Sequence, residues 1–121
     1  MPREAEEQIW LMNWSTLMRK RYPELDLLYH VPNGGSRNRA EAANLKRQGV
    51  KAGVPDLCLP VSRGGYHGLY IEMKVGKNKP TQKQEEWLAA LRRGGYAAEM
   101  CYGWQAAAEV IETYLRMKDK K

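Results

Sequence analysis

The sequence predicts an α/β domain in which a mixed four-stranded sheet is flanked by helices, in the order α-β-α-β-β-α-β-α. Three observations support this. Short apolar or alternating runs interleave with longer runs of helical period. Glycine and proline clusters punctuate them. No connection is long enough to separate two units, so the 121 residues form one domain over 1–121. A chain of this length buries a core without disulfides or a structural metal.

Residues 3–21 have Trp10, Trp14, Leu17 and Met18 at the spacing of one helical face, with acids gathered in the first turns, and Pro23 ends the helix. The run LDLLYHV, 25–31, predicts a strand closed by Pro32-Asn33-Gly34-Gly35. Ser36 is placed to cap a helix that runs to Gln48 and stops at Gly49. DLCLPV, 56–61, predicts a second strand, with Pro60 marking a bulge or an edge. In GLYIEMKV, Leu69, Ile71, Met73 and Val75 face one way, and Tyr70, Glu72 and Lys74 the other. Thr81 and Gln84 form a capping box, Trp87, Leu88 and Leu91 give the next helix its apolar stripe, and Gly94-Gly95 stop it. YAAEMCY, 96–102, is a fourth strand, and Ala107, Val110, Ile111, Tyr114 and Leu115 line one face of a last helix.

Hydrophobic residues make up 43% of the chain and charged residues 28%, with no apolar run near the roughly 20 residues of a membrane span. The polar, acidic start MPREAEEQIW argues against export, so a cytoplasmic protein is expected. Cys58 and Cys101 stand in apolar runs and read as small buried hydrophobes; with no C-x-x-C or H-x3-5-H pair, zinc is disfavoured. No Walker motif is present, since Asn78 follows Gly76-Lys77, so no nucleotide cofactor is expected.

The formal charge of +6 raises the odds of a polyanionic partner. Arg37, Arg39, Lys46, Arg47 and Lys51 are opposed within 37–51 only by Glu41, and Lys74, Lys77, Lys79 and Lys83 by no acid within 74–83. Each segment alone also fits a solvated surface. A third tract, Arg116 to Lys121, reads as a frayed tail.

Between the two basic segments lies GVPDLCLPVSRGGYHGLYIEMK, 53–74. Residues i and i+2 of a strand share a face, so Glu72 and Lys74 project side by side, roughly 6–7 Å apart at Cα. A hairpin would bring Asp56 to Glu72. Two carboxylates in a half-buried place repel, and each is driven towards protonation unless a cation stands between them. Mg2+ or Mn2+, hard ions that take oxygen ligands, resolve the conflict. The plain alternative is a surface ladder of Glu72 and Lys74, with Asp56 capping a turn after Pro55.

Pro55-Asp56 followed by Glu72-Met73-Lys74 resembles the PD-(D/E)xK nuclease signature, and the surrounding sequence resembles its VRR-NUC branch. That likeness includes His30-Val31-Pro32-Asn33-Gly34-Gly35-x-Arg37 and Leu45-Lys46-x-x-Gly49-Val50-x-x-Gly53-Val54-Pro55-Asp56. It continues through Gly68-Leu69-x-Ile71-Glu72-Met73-Lys74 and Thr81-x-x-Gln84-x-x-Trp87-Leu88, and is similar to small stand-alone phage and bacterial members. The resemblance implies a restriction-endonuclease-like core. It also implies a metal-dependent phosphodiesterase in which Asp56, Glu72 and the Met73 carbonyl hold the metal and Lys74 orients or activates the attacking water. Gln84 matches a glutamine near the family's site, a role that competes with capping for one side chain. A glutamate of the first helix reaches the metals in the family. Glu4, spaced E-x-x-x-Q with Gln8, and Glu7, on the same face, are both candidates.

Asn33-Gly34-Gly35 admits an anion site at a helix start, with Arg37 and Arg39 adding charge and Lys46, Lys51, Lys77 and Lys79 as further DNA contacts. The function expected is a structure-specific DNA endonuclease acting on branched or Holliday-junction-like DNA in a bacterial host cell, with a phage gene as one source. A homodimer is expected, with Trp10, Trp14 and the last helix as interface material. The alternatives are a catalytically silent nucleic-acid-binding module and a sequence-specific restriction-like nuclease.

Overall fold

The computed structural model describes residues 3–32 and 38–118. Helix α1, Glu4–Met18, begins with Glu4, Glu6 and Glu7, where the helix dipole favours negative charge. After it, the strand expected over 25–31 is mostly replaced. Pro23–Leu27 form a 3-10 turn, and only Tyr29–His30 pair as strand β1. Pro23 presets φ for the turn, and the buried leucines, Leu25 and Leu28, stand three apart, the 3-10 period rather than the two of a strand.

Helix α2 spans Arg39–Arg47 and is capped by Asn38, whose side chain accepts from the Ala40 and Glu41 N–H groups at 2.8 and 3.3 Å. Ser36, expected in that role, lies outside the described residues. Gln48 closes the helix and Gly49 follows with φ +107°, a conformation that favours glycine. No side chain of α2 is buried.

Strand β2, Leu57–Leu59, lies between β1 and strand β3, Leu69–Lys74, antiparallel to both. Pro60 therefore marks neither an edge nor a bulge; it stands just past the end of an inner strand, where its missing N–H stops the ladder. Helix α3, Gln82–Arg93, has the expected capping box and carries the chain to strand β4, Ala97–Tyr102, which runs parallel to β3. The sheet order is β1-β2-β3-β4, and helix α4, Trp104–Leu115, follows.

Alternation along β2 and β3 divides the sheet into two faces. Leu57, Leu59, Leu69, Ile71 and Met73 form one core cluster with Leu11 of α1 and Ala107, Ile111 and Tyr114 of α4. Each large apolar side chain there stabilises by about 1.5–3 kcal/mol. Asp56, Cys58, Tyr70, Glu72 and Lys74 belong to the other face, towards which α3 contributes Gln84. Both cysteines are free and buried. The start of the third basic tract is anchored rather than frayed: Arg116 donates to the Tyr22 hydroxyl and to Glu112, and the Lys118 carbonyl accepts from Gly64.

Candidate metal centre and active site

The pairing Leu57↔Ile71, extended by one residue, sets Asp56 opposite Glu72. The hairpin register thus unites two carboxylates sixteen positions apart. Asp56 is fixed from three sides: its Oδ2 accepts the Met73 N–H at 2.8 Å, and its carbonyl accepts from the Val31 N–H at 2.7 Å and from His30 Nδ1 at 3.0 Å. Pro55, immediately before it, is fully buried. Met73 meets the site through its backbone, its side chain being 0% exposed in the core.

Glu72 is 1% exposed, and burial pushes its carboxyl up to about 8. The Asp56 and Glu4 carboxylates push in the same direction, and the Lys74 ammonium partly offsets them. Lys74 is itself buried at 6% exposure. Gln84 Nε2 donates to Glu72 Oε2 at 3.0 Å, while Glu72 Oε1 is buried without a hydrogen-bond partner. An orphaned carboxylate oxygen among like charges is costly unless a cation meets it.

The first helix supplies the third carboxylate. One ligand oxygen each from Glu4, Asp56 and Glu72 lies within 4.8 Å of the other two. Glu7, the other candidate from α1, is directed elsewhere. Its Oε1 accepts the Trp104 N–H at 2.7 Å and so caps α4, whose own N-cap position is Gly103 at φ +90°. Such a glycine offers no capping side chain, and Glu7 replaces it from another helix. Glu7→Ala is expected to lower stability by about 1–3 kcal/mol in thermal unfolding, and Glu7→Gln, which keeps the acceptor, by less.

Gln84 makes both of the contacts that compete for its side chain. Its Oε1 accepts the Thr81 N–H at 2.9 Å, completing the capping box, while its Nε2 holds Glu72. An amide has one acceptor end and one donor end, so the two tasks do not conflict. His30 is the positioning residue that sequence reasoning missed. Its signal was its place at the head of the motif His30-Val31-Pro32-Asn33-Gly34-Gly35, and the pairing of β1 with β2 sets it against Leu57, next to Asp56.

Of the expected DNA contacts, Arg39 and Lys46 lie on α2, Lys51 follows it, and Lys77 and Lys79 occupy the loop after β3; all are exposed. Asn33, Gly34, Gly35 and Arg37 lie outside the described residues. No helix among the described residues is long and apolar enough to cross a membrane.

This arrangement suits a hard divalent cation: all donors are oxygens, two of the three carboxylates are buried, and one oxygen has no other partner. The sequence matches the VRR-NUC domain over residues 3–105, a span that contains Glu4, Asp56, Glu72, Lys74 and Gln84. No curated protein matches it. A solved structure described as a "VRR_NUC domain protein" is similar, at 38% identity, covering 98% of this chain and 93% of its own, with a TM-score of 0.84. Sequence and fold agree over most of the chain, which belongs to the VRR-NUC family of nuclease-type domains.

Proposed function

We propose that this chain, acting as a single nuclease domain, is a metal-dependent DNA endonuclease that selects branched substrates by structure rather than by base sequence. The convergence of Glu4, Asp56 and Glu72 around an unsatisfied buried oxygen carries this reading. Those three carboxylates and the Met73 carbonyl would hold Mg2+ or Mn2+. When bound, the cation supplies an acidified water and offsets negative charge at the phosphate.

The chain's own groups do the rest. The Met73 N–H and His30 hold Asp56 in place, and Gln84 fixes one oxygen of Glu72 and leaves the other free. Lys74, two residues along the same strand face, places an ammonium where it orients the attacking water and balances charge that grows on the phosphate. Arg39, Lys46, Lys51, Lys77 and Lys79 contact the sugar-phosphate backbone, which positions DNA without reading bases. A silent binding module would have no use for a buried carboxylate pair beside a buried lysine. Two-fold symmetric junctions favour a homodimer, and Ile9, Trp10 and Leu17 of α1, exposed at 59%, 41% and 82%, are the surface that suits a second copy. The soluble composition fits a cytoplasmic setting.

The deciding experiment digests a four-way junction, a flap, a linear duplex and a single strand side by side with Mg2+ or Mn2+. Cleavage concentrated on the branched DNAs is expected. Equal cutting of all four would remove structure selectivity, cutting at one base sequence would favour a restriction-like enzyme, and no cutting would leave only a binding module.

A further inference from the structure

A groove of about 1480 Å³ opens between α2 and α3, beginning at Gln84, the residue that holds Glu72. Its floor is apolar, with Leu45, Val50 and the half-buried ring of Trp87. Its rim is cationic: Lys46, Lys51, Lys83 and Arg93 line it against the single carboxylate of Glu86. Along α3, Lys83 and Trp87 are one turn apart on the same side. From Gln84 to Arg93 the helix rises about 13 Å, enough for a few nucleotides.

The groove is built rather than incidental. Gly53, at φ +88°, lets the 49–54 segment seat directly on the first turn of α3; a Cβ there would meet the Lys83 backbone at 2.8–2.9 Å. This contact sets the inner end of the groove beside the carboxylate cluster. The outer wall, α2, buries no side chain, so its apolar positions Ala42 and Leu45 face space that a ligand can fill.

An aromatic ring in a cationic trough is the chemistry that receives unpaired nucleotides, since bases stack on the ring while ammonium and guanidinium groups follow the phosphates. A duplex keeps its bases stacked on one another and has none to offer Trp87. We infer that the α2–α3 groove binds an unpaired strand and delivers the adjoining single-strand to duplex boundary to the carboxylate cluster. This rests on the nuclease reading and narrows it: among branched DNAs the preferred class carries an unpaired segment beside the scissile bond, as a flap does and a fully paired four-way junction does not, and Trp87, Lys51 and Lys83 determine that preference.

The test reads binding in EDTA, independently of cleavage, by the fluorescence anisotropy of labelled oligo(dT), a blunt duplex and the same duplex with a single-stranded overhang. Trp87→Leu is expected to weaken oligo(dT) and overhang binding about tenfold and to leave the blunt duplex nearly unchanged, with Trp87→Phe restoring most of the loss. Lys51→Ala combined with Lys83→Ala is expected to reduce the salt slope for oligo(dT) by about 1.4. The inference is overturned if Trp87→Leu affects all three DNAs equally or none, or if the groove variants change only self-association. Should Trp87→Leu fail to fold by circular dichroism, an unchanged salt slope in the lysine pair overturns it. A chain that cuts no DNA but passes these tests refutes the endonuclease reading alone; one that cuts blunt duplex and is indifferent to the groove variants refutes the groove alone.

Discussion

Asp56→Asn is expected to lower cleavage of every DNA substrate by at least about a thousandfold and to leave DNA affinity in EDTA close to wild type. The substitution keeps the shape of the side chain and an oxygen able to accept the Met73 N–H, so the hairpin that carries Asp56 and Glu72 is preserved. What it removes is charge, at the centre of the oxygen cluster formed with Glu4 and Glu72. Because Asp56 helps to raise the Glu72 carboxyl, the metal-free variant is also expected to melt at a higher temperature above pH 8, where Glu72 of the wild-type chain is ionised beside Asp56. Loss of cutting together with a gain in metal-free stability distinguishes a site carboxylate from a structural one. An Asp56→Asn enzyme that cuts at the wild-type rate would refute the site assignment.

The second large effect is the dependence of metal-free stability on pH. Glu72 is raised from 4.5 to about 8 in the folded chain, chiefly by burial. Between those values the folded state binds more protons than the unfolded state, so this group's contribution is full below pH 4.5 and is lost as pH rises through 8. The expected fall is on the order of a few kcal/mol, read as a declining melting temperature in EDTA. If Mn2+ binds the ionised cluster in place of the proton, as proposed, the melting shift it produces should grow over the same window. Glu72→Gln is expected to flatten the EDTA profile and abolish most of the metal response. A wild-type melting temperature that climbs steadily from pH 5 to 8 without metal would exclude this account.

Most of the fold was legible because its signals are local. Alternation in 69–75, the Thr81 and Gln84 spacing and the apolar offsets of the last helix each depend on residues within a few positions of one another. The segment 25–31 misled because Leu25, Leu27, Leu28, Tyr29 and Val31 satisfy a strand composition, while the turn that wins is set by Pro23 and by which leucines reach the core. Asp56, Glu72 and Lys74 were legible as charges in an otherwise apolar stretch. The choice between Glu4 and Glu7 was not, because both lie on one side of α1 and only the position of α4 separates them. The groove was equally hidden, since it depends on how far α2 stands from α3, and no periodicity encodes that distance.

Glu4 and Glu7 sit one turn apart, one aimed at the carboxylate cluster and the other clamped to the first residue of α4. The sheet carries the remaining two acids, so Glu4 is the sole member delivered by a separate body, and Glu7 sets that body's angle. A substitution that loosens the seat of α4 against α1, remote from any nucleotide, would therefore register as a poorer grip on the ion. Titrating Mn2+ against such variants would turn the proposed metal centre into a gauge of how firmly the two terminal helices are joined.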